Sequence, residues 1–273
     1  MKNLQIYCIS LNPLHKNLID KLGYIAVGLG NSNFNEDWYQ DKSGDSIASK
    51  NQHYGEYTFH YWLWKNKKIN FEGWIGFCQY RKFWKKKNKL SDSLENNFEN
   101  LNQIVLKTIP KELENFDSIL LESQFVNQFR FSKFIKHNFK TMLYNPSLFF
   151  NKNKRTIKFH FDMMHGKGNL EKAIEAMDKK EKLDFKNFVN TEVSFNPQNM
   201  FICKNKEILN SYYNSLFPWL LRCEKIFGFN ELKGFGLQRI YGFLAERYMS
   251  YWFKKYTKHR TLPMHFKDIS EYL

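Results

Sequence analysis

The chain has 273 residues, of which 42% are hydrophobic and 18% aromatic, enough to bury a substantial core in one large α/β domain or two small ones and too apolar for a disordered chain. Its 42 Lys and Arg against 27 Asp and Glu leave a net charge of +15, which suits a partner rich in phosphate: nucleic acid, an anionic membrane surface or a small phosphorylated substrate. No apolar run approaches the roughly 18 residues needed to span a bilayer.

In chain order, residues 4–11 read as a first strand; the run is short and broken by polar residues, so it is expected to be a strand and not a signal peptide. Residues 24–27 form a second strand ending at Gly28-Leu29-Gly30, where Asn33 stands in place of the third glycine of a dinucleotide fingerprint, so a plain turn is the better reading. A polar loop over 31–45 precedes a helix over 46–66, in which Tyr54, Tyr57, Tyr61 and Trp64 recur at helical steps and belong to a core more than to a sugar platform. Asp45 and Ser46 are placed to cap it. The apolar run 74–78 suits a buried strand delivering Gln79-Tyr80-Arg81-Lys82 to a cleft.

Residues 85–89 are a solvated basic loop, 91–113 a helix, 116–121 a buried strand, and 124–155 a basic, aromatic insertion or lid. A helix over 159–177 is interrupted at Gly166-Lys167-Gly168, and 183–192 is a helix or loop. A strand over 200–203, a helix over 207–227 and a buried closing helix over 237–253 complete the chain, with Arg239, Gly242 and Glu246 on one ridge of the last. Four scattered cysteines, without CxxC spacing, read as reduced, buried thiols and point to a cytoplasmic setting.

A phosphate-binding loop ending in Lys-Ser/Thr, a GxSxG elbow and an HExxH are all absent, as is the Asp-x-Asp pair that holds Mg2+ or Mn2+ against a sugar nucleotide. His160 and His165, with Asp162 between them, have the wrong step for two metal ligands on one helix face. The segments Asp41…Gly44-Asp45-Ser46-Ile47…Lys50-Asn51…Tyr54…Glu56…Tyr61-Trp62…Trp64-Lys65-Asn66 and Ile75-Gly76…Gln79-Tyr80-Arg81-Lys82 together resemble a bacterial capsular and exopolysaccharide glycosyltransferase family, domain of unknown function 4422. The resemblance continues through Phe116-Asp117-Ser118-Ile119-Leu120, Asn199-Met200-Phe201-Ile202 and Arg239…Gly242…Glu246-Arg247…Trp252. Two departures mark a divergent subgroup: Gln79-Tyr80-Arg81-Lys82 where the family commonly has His-Tyr-Arg-Arg, and Ser10-Leu11-Asn12-Pro13 where it often has His-Lys-Pro.

The resemblance implies a GT-A-like α/β fold in a single domain over 1–273: a mixed, mostly parallel sheet flanked by helices, with a helical C-terminal part. Residues 1–123 would form the nucleotide-sugar-binding half and 124–273 the acceptor side. It implies a nucleotide-sugar donor, a UDP-sugar above others, and a surface-glycan or lipid-linked glycan acceptor of capsule or lipooligosaccharide type. The enzyme would work in the cytoplasm at the inner face of the membrane.

Arg81 and Lys82 are the groups to stabilise the leaving diphosphate in place of a metal, Mn2+ or Mg2+ having no Asp-x-Asp to hold it. Gln79, Tyr80 and Arg239 join them, and Asp41, Asp45, Lys50 and Asn51 are candidates for the nucleoside or the donor sugar. The rival for Arg81 is an ion pair with Asp117 or Glu56. The candidate acceptor base is Glu246, then Asp117, then Asp162; Glu246 has the competing role of pairing with Arg239 or Arg247. Residues 252–260 interleave aromatics and cations as an interfacial patch or a plain solvated surface would. Two other functions fit the composition: a basic nucleic-acid-binding protein, although nucleic acid is not the expected partner, and a metal-dependent hydrolase built on His160, Asp162 and His165.

Overall fold

A computed structural model describes residues 3–69, 71–86, 97–128 and 151–273. The first part runs β1 (Leu4–Ser10), α1 (Lys16–Lys21), β2 (Ile25–Gly28), β3 (Tyr39–Gln40), α2 (Asn51–Tyr54), α3 (Tyr57–Lys65), β4 (Trp74–Gln79), β5 (Lys82–Trp84), α4 (Phe98–Ile104), β6 (Ser118–Leu121) and β7 (Gln124–Phe125). It continues with α5 (Ile157–His165), α6 (Asn169–Glu175), α7 (Lys179–Thr191), β8 (Ser194–Phe195), β9 (Phe201–Cys203), α8 (Lys206–Phe227), α9 (Phe235–Gln238), α10 (Ile240–Tyr256), β10 (His259–Leu262) and β11 (Met264–Phe266).

The main sheet has the order β10-β6-β9-β4-β1-β2-β3, with β5 and β11 attached beside β4. Along that path every pairing is parallel except those of β9, which runs antiparallel to both β4 and β6. This is the mixed, mostly parallel sheet expected. Strands β9, β10 and β11 complete a sheet begun by the first 123 residues, so both halves of the chain share it.

Strand alternation divides the core. Ile6 and Cys8 of β1, with Trp74 and Cys78 of β4, face a cluster that includes Leu18, Trp84 and Leu101. Tyr7 and Ile9, with Ile75 and Phe77, face a larger aromatic cluster built from α3, α8 and α10. Within it His60 is fully buried, with a hydrogen bond between its Nδ1 and the Tyr213 hydroxyl at 2.6 Å. Burial keeps its ring neutral, with the pKa lowered to about 3. Tyr54, Tyr57 and Tyr61 are buried there too, as their spacing predicts. All four cysteines are buried and unbridged.

Three expectations change. The helix over 46–66 is two helices, because Gly55 takes φ +59° and ψ −135°, a conformation closed to residues with a Cβ. Its capping also differs: Ser46 Oγ accepts from Ala48 N at 3.0 Å ahead of a 3-10 turn, while Asp45 accepts from the Tyr61 hydroxyl at 3.1 Å. The helix over 91–113 contracts to α4, capped by the Asn97 side chain on Asn100 N; residues 91–96 lie outside the described residues. Of the lid expected over 124–155, β7 and a turn at 152–154 are described and 129–150 lie outside the described residues, as do 87–89 of the basic loop.

In the aromatic-cationic stretch 252–260, Trp252 and Phe253 are buried in the core, and Lys258 and Arg260 lie over the Phe116 ring at 5.0 and 5.3 Å. Only Tyr256 among its aromatics is exposed, so an apolar interfacial face does not form there. Among the described residues no helix is long and apolar enough to cross a membrane.

Candidate active site

The carboxyl ends of β1, β2 and β4 open into a cleft of about 320 Å3. Leu11 and Leu29 continue the first two strands into its wall, and Gln79, Tyr80 and Arg81 form its floor and lip where β4 turns into β5. The opposite wall comes from the broken helix, through Asn51, Gly55 and Glu56, and from Arg239 at the start of α10. The break at Gly55 is what admits Arg239, since a Cβ there would lie 2.5 Å from its guanidinium. The absence of a Cβ at Gly242 likewise lets α10 approach the backbone of Tyr54.

Behind the cleft is a hydrogen-bonded cluster of charges. Glu56 Oε1 accepts from Asn199 Nδ2 at 2.8 Å and Gln79 Nε2 at 3.3 Å, and Arg239 stands 3.7 Å from Glu56 Oε2. The Lys82 ammonium donates to Gln79 Oε1 at 3.1 Å and to Gln198 Oε1. Burial lowers the Lys82 pKa, Glu56 opposing that shift and Arg81 adding to it. Gln198 N donates to Glu246 Oε1 at 2.6 Å, and Glu246 Oε2 is paired with Arg247. Arg247 is buried over the Phe195 ring at 4.0 Å and donates to His160 Nδ1 at 3.3 Å. Burial, reinforced by Arg247, lowers the His160 pKa to about 3, so this ring is a neutral acceptor. Burial also raises the Glu246 carboxyl above its usual range, against the pull of Arg247.

Gln198 and Asn199 hold the cluster together from consecutive left-handed conformations, with φ of 72° and 53°. Two such non-glycine residues side by side cost on the order of 1–3 kcal/mol each, and persist only where surrounding contacts enforce them. Sequence reasoning did not single out Gln198; Asn199 entered only through the resemblance, and Glu56 through the resemblance and as a possible ion-pair partner of Arg81. The signal was the turn-forming Asn196-Pro197-Gln198-Asn199 immediately before a short strand.

Arg81 is exposed at the lip, its guanidinium 5.5 Å from the Tyr80 ring centre, and it has no ion pair among the described residues. Neither Asp117 nor Glu56 is its partner; Glu56 faces Arg239 instead. The remaining predicted residues scatter. Asp41, just beyond β3, is 1% exposed and has no hydrogen bond to its carboxylate oxygens. The neighbouring Thr58 hydroxyl is directed at the Gly55 carbonyl, and burial raises the Asp41 pKa. Asn51 lines the cleft while its Nδ2 donates to Gly55 O and Thr58 Oγ1. Lys50 turns away to Glu224 at 2.8 Å, and Asp45 is held with Tyr61 and Asn66 outside the cleft lining.

The second and third candidate bases do not reach the cleft. Asp117 precedes β6, at the end of the sheet opposite the cleft, where its Oδ2 accepts from Lys258 N at 2.9 Å. Asp162 is bound by Lys158 at 2.7 Å and accepts from Gly168 N at 3.1 Å, joining α5 to α6. His165 is turned to the Gly236 carbonyl at 2.9 Å, so His160, Asp162 and His165 do not converge. Among the described residues no three His, Cys, Asp or Glu side chains are grouped to hold a metal ion. The cleft's carboxylate, Glu56, is bonded by two amides beside an arginine, a donor set ill-suited to Mg2+ or Mn2+.

With this geometry in place, the comparisons with known proteins are specific. The model of the family described as domain of unknown function 4422 matches residues 6–258, and the chain belongs to that family. Among solved structures, the chain matches the apo structure of the WbbM bifunctional glycosyltransferase with a TM-score of 0.66 and 20% sequence identity. The match covers 97% of this chain and 45% of that one, so the chain spans less than half the length of WbbM and the likeness is one of fold. No curated protein matches the chain in sequence.

Proposed function

We propose that the protein is a glycosyltransferase that moves a sugar from a nucleoside-diphosphate donor to a glycan acceptor. The observation that carries this reading is Arg81, exposed and without an ion pair among the described residues, lining with Arg239 a cleft at the strand ends in a chain that shares its fold with a glycosyltransferase. Ligands of open α/β sheets bind outside the carboxyl ends of the strands, where this cleft lies. As the bond between the sugar's anomeric carbon and the diphosphate breaks, negative charge grows on the leaving phosphate. A guanidinium meets phosphate oxygens in pairs and is always charged, so Arg81 and Arg239 supply that stabilisation directly.

Lys82 has a different role from the one its sequence position suggests. Its ammonium is bonded to Gln79 and Gln198, so it holds the cleft floor and contributes positive potential from beneath. A UDP-sugar is the favoured donor and a surface or lipid-linked glycan of capsule type the favoured acceptor. The net charge of +15 supports work at the inner, anionic face of the cytoplasmic membrane.

The test is a thermal-shift and calorimetric screen against UDP, GDP, CMP and dTDP, with and without Mn2+, followed by assay of nucleotide release from the matching sugar donors. Stabilisation by one nucleoside diphosphate and release of it from its sugar are expected. A chain that binds none of the four and instead binds RNA or DNA with a steep salt dependence rules the transferase reading out.

A further inference from the structure

The cleft cluster holds two carboxylates, and their surroundings differ in a way that assigns them different tasks. Glu246 has both oxygens committed, Oε1 to the Gln198 amide at 2.6 Å and Oε2 to Arg247, and it is not part of the cleft wall. Glu56 is in the wall. Its Oε1 accepts from the neutral amides of Asn199 and Gln79, which fix the side chain in place, while Oε2 makes no hydrogen bond among the described residues. The cation nearest Oε2 is Arg239, at 3.7 Å and beyond hydrogen-bonding reach. Beside it, Asn199 Oδ1 is buried without a partner, although the same amide's nitrogen is bonded to Glu56. A buried acceptor left open in this way costs about 1–3 kcal/mol unless something donates to it.

We infer that Glu56 is the base that removes the proton from the acceptor hydroxyl, and that Asn199 is the residue that positions it. This rests on the glycosyltransferase reading. The acceptor O–H proton passes to Glu56 Oε2 as the acceptor oxygen bonds to the anomeric carbon from the face opposite the leaving group. The bond from that carbon to the phosphate oxygen breaks, and its electron pair leaves on the nucleoside diphosphate beside Arg81 and Arg239. The sugar's configuration is inverted. Asn199 acts from behind the wall: its Nδ2 holds Glu56 Oε1 and leaves Oε2 for the acceptor hydroxyl. The left-handed backbone at 198–199, tied to Glu246 through Gln198 N, points the Asn199 amide at Glu56.

The experiment compares the wild type with Glu56→Gln, Glu56→Asp and Asn199→Ala, all as the full chain. UDP affinity is read by calorimetry. UDP release is followed from UDP-glucose, UDP-galactose and UDP-N-acetylglucosamine, with a short oligosaccharide mixture as acceptor. Glu56→Gln is expected to bind UDP within about threefold of the wild type and to lose ~100-fold or more in kcat, the usual weight of a general base. Glu56→Asp, which keeps the charge and retracts it by one methylene, should fall between the two. Asn199→Ala should lower kcat with donor KM unchanged, a split that a merely structural loss does not produce. Turnover by Glu56→Gln within about threefold of an active wild type overturns the base assignment alone, and so does loss of UDP binding by both Glu56 variants. A wild type that neither binds UDP nor releases it from any donor overturns this assignment together with the UDP-transferase reading.

Discussion

The two ends of the central sheet are built from similar residues and differ in what those residues are tied to. At the amino end of β6, Asp117 is tied into the backbone: its Oδ2 accepts from Lys258 N, its own N–H donates to the Lys258 carbonyl and its carbonyl accepts from Lys204 N. At the carboxyl ends of β1, β2 and β4, Arg81 has no ion pair among the described residues, Glu56 is held through one oxygen by two side-chain amides, and two successive non-glycine residues sit in left-handed backbone. Stability alone favours the first arrangement, since left-handed backbone at non-glycine residues is costly. The pair of strained residues at 198–199, beside the cleft, accords with the ligand site proposed at that end of the sheet.

Acid probes what lies between the two ends. His60, His160 and His165 have pKa values lowered to about 3, in each case by burial first. A folded-state pKa below the unfolded value of about 6.5 gives stability that is complete above that value and is lost as pH falls toward 3. At pH 5 this amounts to about 2 kcal/mol per histidine, the largest effect expected here. Asp41 and Glu246, raised by burial, act in the opposite sense. Thermal melts at pH 7 and pH 5 should therefore show a clear drop in Tm, and an unchanged Tm would mean that the rings are not held neutral.

Next in size is Arg81→Ala, expected to weaken nucleoside-diphosphate binding by ~10- to 100-fold, as loss of a charge-assisted contact does, with little change in Tm. Binding and turnover both unchanged would remove Arg81 from the phosphate site. Gly55→Ala forces a Cβ into a backbone conformation reserved for glycine and against Arg239, so it should cost ~1–3 kcal/mol in denaturant melts and also weaken UDP binding. The smallest effect belongs to the other end. Asp117→Asn can still accept from Lys258 N, and should shift stability by no more than about 0.5 kcal/mol and leave turnover unchanged. A large loss of turnover there would erase the contrast between the ends.

Much of the architecture is legible in the sequence because period and burial act locally. The alternation in 4–11 and the apolar run at 74–78 specify two central parallel strands, and the apolar circumference of 237–253 specifies a buried helix, found at Ile240–Tyr256. Gln79, Tyr80, Arg81, Asn51 and Arg239 do meet in the cleft. What sequence could not convey is the pairing of side chains across the fold. Lys50, mid-motif beside Asn51, is turned to Glu224 by a long-range contact, and Asp162 is turned to Lys158 by a helical step that is visible only once the helix is placed. Asp117 resembled a site residue because it borders a buried strand, but the strand's direction puts it at the wrong end. Gln198 and Asn199 were obscured for a related reason: their importance lies in φ, which residue type constrains only loosely.

Strand β11 pairs with β5, and β10 with β6, across more than half the length of the chain. Contacts so distant in sequence impose a heavy loop-closure cost, which places them late and makes them slow. Gln79 and Lys82, the residues that anchor the cleft floor, flank the turn between β4 and the hairpin strand that β11 covers. During synthesis the first strands can therefore associate while β5 still exposes an unpaired edge, and nascent chains are most prone to aggregate in that interval. Competence to bind a ligand comes only after residues 259–266 have left the ribosome and docked.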